Sequence, residues 1–399
     1  MTVHTQEQKN TVVDFSNTEV AFATLSDKAL KRAAWLFGMM NKPRLVGIGS
    51  KLALLALKLR LPINGIVKKT IFRQFCGGTT LLECQSVVNK LYQSNILTIL
   101  DYGAEGKCTE EAFNASMRET IRAIRFANEN DSVPVVSLKI TGLARFELLQ
   151  KIQEGKPLNE AEQHEYDNSF KRFDSICHVA HENRVGLFVD AEESWIQDTI
   201  DYMTLGMMER YNRYYPTIYN TYQLYRHDRL NFLKKSYHLA QKKEYILGAK
   251  IVRGAYLEKE NDRAKDLNYP TPIQPNKAAT DRDFNAAIKF CIDRYQDLAF
   301  CNASHNEASA KYMLELIQKK GLEKAHPHLN FCQLLGMSDH LSYNLAQAGF
   351  CVAKYVPYGP VRDVVPYLVR RAQENTTVSG DMSRELGFIK NEMKRRGLK

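Results

Sequence analysis

The chain lacks the signatures of most specialised protein classes. Its eight cysteines are scattered over 399 residues, with no Cys-x-x-Cys pair and no zinc-type Cys/His spacing, so nothing suggests a structural metal or a redox dithiol. They read as small apolar residues of a reduced compartment, with no disulfide and no metal expected. No window is apolar enough to span a bilayer: the most apolar one, residues 45–62, is interrupted by Lys51, Lys58 and Arg60. The start, MTVHTQEQKNTVVDF, has neither a charged segment leading into an apolar one nor the Arg-rich, acid-poor character of a transit peptide. That points to a cytoplasmic, bacterial protein. The net charge of +10 comes with no helix-turn-helix, zinc finger or RNP pattern, and basic residues occur all along the chain, which argues against nucleic acid as a partner. A dinucleotide fingerprint is missing too, since Gly47-Ile-Gly49 lacks its third glycine and sits among helical patterns.

What is present suits a soluble globular enzyme: 44% hydrophobic and 25% charged residues, with 20 Tyr and 18 Phe. Residues 1–20 read as disordered and 21–94 as a helical accessory region, with Ser26-Asp27 as a start signal and Cys76-Gly77-Gly78 as a break. Within it, 45–73 is apolar and basic, which fits a partly buried helix or a surface facing anionic lipid. From residue 95 onward eight short apolar runs, at 96–101, 133–139, 185–190, 217–223, 246–252, 298–302, 329–333 and 351–355, alternate with amphipathic segments. Strand and helix repeated eight times imply parallel pairing, and eight such units fit a (β/α)8 barrel over 95–380 better than a doubly wound sheet. Residues 381–399 read as a last basic helix.

The final unit is the most informative. Its apolar run ends at Tyr355, breaks at Pro357, Gly359 and Pro360, and gives way to a helical pattern with Val361, Val364, Val365, Leu368 and Ala372 on one face. The spacing predicts a helix that begins near Asp363, with Asp363 as N-cap and Pro366 in the first turn. Arg370 and Arg371 follow, with Glu374 at the three- and four-residue spacing that lets one carboxylate orient both guanidinium groups. That is a fork for an anion. The other strand ends add Asp101, Lys139, Asp190, Gln223, Lys250 with Arg253, Ser304-His305 and Gln333, where a (β/α)8 enzyme keeps its active site.

The blocks Leu100-Asp-Tyr-Gly, Lys139-Ile-Thr-Gly-Leu, Asp190-Ala-Glu-Glu, Tyr222-Gln, Lys250-Ile-Val-Arg-Gly-Ala-Tyr, Ser304-His-Asn and Gln333-Leu-Leu-Gly-Met, followed by Tyr355 and Arg370-Arg-x-x-Glu, resemble those of proline dehydrogenases in order and spacing. The resemblance implies oxidation of L-proline to 1-pyrroline-5-carboxylate, with hydride leaving the ring carbon beside nitrogen for N5 of an FAD over the barrel mouth. It puts Asp190 and Lys250 at the reacting centre, Lys139, Arg370 and Arg371 on the substrate carboxylate, and Tyr256, Leu335 and Tyr355 around the pyrrolidine ring. FAD would meet Ala191, Gln223, Lys250, Arg253, Gly254, Ala255, Ser304, His305 and Glu374. Electrons would pass to a membrane quinone, so a cytoplasmic enzyme would touch the inner membrane peripherally. Two positions depart from the family pattern: many bacterial members carry Arg-x-x-Lys where this chain has Lys250-x-x-Arg253, and some carry Trp where it has Leu257. The alternative is a relative acting on 4-hydroxyproline or another cyclic secondary amine.

Overall fold

The computed structural model describes residues 13–59, 61, 64–103, 107–377 and 381–398, without the side chains of 54, 57, 373–377 and 381–383. Eight apolar segments form parallel strands: β1 Leu97–Tyr102, β2 Val135–Leu138, β3 Gly186–Val189, β4 Ile218–Gln223, β5 Leu247–Val252, β6 Leu298–Ala303, β7 Leu329–Leu334 and β8 Val352–Tyr358. Each pairs with the next and β8 pairs with β1, so the sheet closes into a barrel without an edge. Both faces are covered by protein, which is why the strands read as nearly continuous apolar runs. Helices pack outside. Glu160–Glu182, for example, starts at a capping box in which Asn159 accepts from the Glu162 N–H and Glu162 accepts from the Asn159 N–H, both at 2.9 Å.

Strand periodicity sorts side chains to two sides. One set, with Ile99, Phe188, Tyr219, Ala299, Cys301, Cys332, Ala353 and Tyr355, fills the barrel interior. Counted along the same faces, the next inward positions are Asp101, Lys139, Asp190, Gln223 and Lys250. The apolar plug is therefore topped by a polar layer at the C-terminal ends of the strands.

Several sequence expectations shift. Residues 1–12 of the segment read as disordered lie outside the described residues, but Phe15 is buried in the main core and Thr18–Phe22 is a helix capped by Asn17. Apolar anchoring at Phe15 and Phe22 outweighs the polar composition of the stretch. Strand β8 does not stop at Tyr355. Its ladder with β1 runs on to Tyr102↔Tyr358, so backbone pairing carries the strand through Pro357, and Gly359 at φ +138 makes the turn. The helix Val361–Thr377 then starts before Asp363, because the Pro360 carbonyl already accepts from the Asp363 and Val364 N–H groups at 2.9 and 3.2 Å. Pro366 thus lies inside the helix, and the Asp363 carboxylate pairs with Lys107 at 3.1 Å. Before β6, the amphipathic segment forms the helix Lys277–Ile292, and Asn276 caps it through the Ala279 N–H at 2.9 Å.

Residues 22–75 meet residues 364–396. Phe22, Leu30, Phe37 and Phe75 share a second core with Val364, Val365, Leu368 and Ile389. Arg396 ties the last helix, Asp381–Arg395, to the start through the carbonyls of Phe22 and Leu25. This layer rests on the helix Val361–Thr377, which carries the two arginines.

Candidate active site

Three strand ends converge on one carboxylate. Asp190, just past β3, is fixed by its N–H on the Leu138 carbonyl at 2.9 Å. Its Oδ1 accepts from Lys250 Nζ at 2.6 Å, its Oδ2 accepts from the Tyr355 hydroxyl, and Lys139 Nζ lies 3.8 Å from Oδ2. Burial favours the neutral acid, but Lys250 and Lys139 outweigh it and hold the Asp190 pKa below the usual carboxylate range. The group is an anion between two ammonium groups. Lys250 Nζ also lies 4.6 Å from the centre of the Tyr355 ring, a cation–π contact that fixes lysine and ring together.

Tyr355 approaches from inside the barrel. Its ring belongs to the interior plug, and burial, with Asp101 and Asp190 adding, pushes its pKa far up. The hydroxyl is a neutral donor. Ser137 Oγ, 2.8 Å from that hydroxyl and 3.0 Å from Asp101 Oδ1, links β2 to β8 and to β1. Sequence reasoning missed Ser137, although its inward parity two residues before Lys139 would have found it.

Glu192 was also missed, although it lies within the Asp190-Ala-Glu-Glu block. Its carboxyl accepts from the Thr141 N–H at 3.0 Å and faces the Thr141 hydroxyl at 2.5 Å, and burial pushes its pKa up to about 7. Its backbone carbonyl accepts from Gln223 Nε2 at 3.0 Å. Gln223 Oε1 is then buried with no hydrogen-bond partner among the described residues.

The residues expected to touch a cofactor divide into two groups. Ala191, Gln223 and Lys250 lie at the top of β3, β4 and β5 beside Asp190. Arg253, in the loop after β5, pairs with Asp281, with Nε at 3.1 Å and Nη2 at 2.8 Å, and also donates to Ser304 and to Ser309. Nothing in the sequence signalled Asp281. Gly254 has φ +140, and a Cβ there would come within 2.4 Å of the Tyr225 ring, so an aromatic ring accounts for the close approach that the glycine permits. Ala255 is exposed. Ser304 Oγ accepts from the Asn306 N–H at 3.1 Å as well as from Arg253. His305 faces Ser338 Oγ at 2.9 Å, and burial, with Lys354 and Arg371 nearby, pushes its pKa down to about 3, so it stays neutral.

The Arg370 guanidinium lies 5.9 Å from the centre of the Tyr256 ring, joining the helix Val361–Thr377 to the loop after β5. Arg371 is buried and stacks 5.1 Å over Tyr367. The Glu374 side chain lies outside the described residues. Leu335 donates its N–H to the Tyr355 carbonyl at 2.9 Å, but its side chain packs on the outer core and not with the interior set.

The arrangement offers an anion-binding, water-poor mouth over an aromatic floor. The family model described as proline dehydrogenase matches residues 84–384. Proline dehydrogenase 1, mitochondrial, of Dictyostelium discoideum is 34% identical over 384 residues, covering 85% of this chain and 67% of that one. Hydroxyproline dehydrogenase of Xenopus laevis is 32% identical over 431 residues, covering 98% of this chain and 91% of that one. Among solved structures, proline utilization A of Bdellovibrio bacteriovorus, inactivated by N-propargylglycine, matches with a TM-score of 0.72 at 18% identity, over 95% of this chain. The chain spans 40% of the length of that larger protein, and the likeness is one of fold. The expectation of a cytoplasmic location does not stand, because curated relatives such as the Dictyostelium one are named as mitochondrial. Among the described residues no helix is long and apolar enough to cross a membrane.

Proposed function

Because the chain belongs to the proline dehydrogenase family, we propose that it oxidises L-proline to 1-pyrroline-5-carboxylate with FAD and passes the electrons to a quinone through a peripheral membrane contact. Residues 95–380 would form the catalytic unit. The observation that carries this is Asp190, kept ionised between Lys139 and Lys250 at the end of the barrel from which the helix bearing two arginines follows β8.

A flavin fits the inner half of the mouth. Its ring edge alternates N–H donors with carbonyl acceptors, which suits the unpartnered Gln223 Oε1 beside the Lys250 ammonium. Ala191, Gln223 and Lys250 would hold it there, while Arg253, Gly254 and Ser304 act mainly in shaping the loops around it. Bound FAD supplies the two-electron acceptor that no side chain offers.

The chain's own part is positioning and electrostatics. Arg370 and Arg371 present planar forks to the substrate carboxylate and Lys139 adds a point charge, fixing the ring carbon that must lose hydride. The same cations disfavour a protonated amine, so proline reacts with its nitrogen lone pair available to form the C=N bond. Tyr355, supported by Asp190 and Ser137, closes the floor against water, and Tyr256 walls the side next to Arg370.

A second reading has support in the Xenopus relative, matched over nearly the whole chain: the substrate would be hydroxyproline. Trapping the product with o-aminobenzaldehyde separates the two. L-proline with a dye as electron acceptor should yield the 1-pyrroline-5-carboxylate adduct. Turnover of trans-4-hydroxy-L-proline alone would favour the second reading.

A further inference from the structure

The net positive charge of this protein is concentrated in one segment, although basic residues occur throughout. Residues 28–82 contain eleven Lys and Arg and no Asp or Glu, a charge of +11 against +10 for the whole chain, so the remainder is almost neutral. The same segment holds the exposed apolar surface. Of the sixteen large hydrophobic residues exposed among the described residues, nine fall between Trp35 and Ile66. Scattered exposed apolar residues need no explanation, but a contiguous set does.

The set is contiguous because it is helical. In the helix Pro43–Lys58 and its next residue, Leu45, Ile48, Leu52, Leu55 and Leu59 recur at three- and four-residue spacing and are 45–60% exposed. Arg44, Lys51 and Lys58 recur every seven residues as an exposed basic row along one flank of that stripe. On the other side Ser50 and Ala56 are buried, and Val46 and Ala53 pack on the second core, so the stripe turns outward while the helix stays anchored. Trp35, 57% exposed on the preceding helix Asp27–Met40, adds the amphipathic ring that favours a membrane interface.

We propose that this face is a docking surface for an anionic phospholipid bilayer, with the helix Pro43–Lys58 lying in the plane of the interface, its leucines among the acyl chains and its basic row at the headgroups. The inference deepens the peripheral membrane contact proposed above and does not depend on the substrate. An acid-free basic row matches anionic headgroups and meets no repelling carboxylate of its own segment, and an apolar stripe beside it gains area that a soluble acidic partner would not bury. The helix packs against Val361–Thr377, the element that carries Arg370 and Arg371. Docking would bring the back of the active site to the membrane, where a lipid-soluble acceptor is dissolved.

The test is sedimentation of the full chain with vesicles of phosphatidylcholine containing phosphatidylglycerol, against phosphatidylcholine alone, at low and high salt. The wild type should sediment with the anionic vesicles and be released as salt rises, with a blue shift of Trp35 emission that Trp35→Phe removes. Leu52→Ser with Leu55→Ser should weaken partitioning by about tenfold or more, and Lys51→Glu with Lys58→Glu should abolish the preference for anionic vesicles. These side chains are exposed, so dye-coupled activity and the melting temperature should match wild type. Protein that stays in the supernatant with anionic vesicles at low salt overturns the proposal. So does a concentration-dependent dimer that the leucine substitutions dissolve, since a second copy would then cover the stripe. Vesicle binding without dye-coupled proline oxidation would overturn the catalytic reading and leave this one standing.

Discussion

Lys250 Nζ stands 2.6 Å from Asp190 Oδ1 with both side chains shielded from solvent, and the other carboxylate oxygen takes the Tyr355 hydroxyl. Removing one partner of such a pair leaves a buried charge uncompensated. Asp190→Ala should therefore cost about 3–5 kcal/mol of stability in urea unfolding, besides abolishing turnover. Asp190→Asn, which keeps the shape, should lose less stability and nearly as much activity. A variant as stable and active as wild type would remove Asp190 from the centre of the site.

The Tyr355 hydroxyl already has Asp190 as acceptor and Ser137 as neighbour, so a hydroxyl on the fourth ring carbon of the substrate finds no partner there. An unsatisfied buried hydroxyl costs about 1–3 kcal/mol, which predicts a preference for L-proline over trans-4-hydroxy-L-proline of at least about tenfold in kcat/KM. Tyr355→Ser should narrow the ratio, mainly by weakening proline. Equal rates on both substrates in the wild type would show that Tyr355 does not touch the ring.

Arg370→Ala and Arg371→Ala should each raise KM for proline by roughly tenfold to a hundredfold, the worth of a charge-assisted hydrogen bond, with flavin content unchanged. The two should differ in stability. Arg371 is buried against Tyr367 and its loss should lower Tm, whereas Arg370 is partly exposed. Unchanged proline kinetics in both would take the arginines out of the clamp.

Glu192 gives a pH signature. Its folded pKa, pushed up to about 7 by burial, lies above its ordinary value of 4.5, so folding favours the protonated acid. Its contribution to stability is fully present below about pH 4.5 and is lost as pH rises toward 7. The stability difference between Glu192→Gln and wild type should therefore grow in favour of the variant from pH 5 to 7.5, read from urea midpoints. A pH-independent difference would mean that the carboxyl titrates in its ordinary range.

Much of the fold was legible because each strand is a short apolar run that ends on a polar residue, and the same period of two that builds the sheet turns Lys139, Asp190, Lys250 and Tyr355 to one side. The level of Tyr355 was harder. Pro357 looks like a strand breaker, but a proline costs one ladder bond and not the strand, so β8 continues to Tyr358 and the ring lies deeper. The contact between Arg253 and Asp281 was not legible, because Asp281 is distant in sequence and belongs to a helix whose start is set by Asn276. The second core joins residues from both ends of the chain, and no local pattern encodes such a meeting.

The most direct test is one anaerobic spectrum. Purified protein should be yellow, with the two visible absorption bands of an oxidised flavin, and adding L-proline without oxygen should bleach them as 1-pyrroline-5-carboxylate accumulates. A protein reconstituted with FAD that keeps its full visible spectrum in excess L-proline would contradict the account.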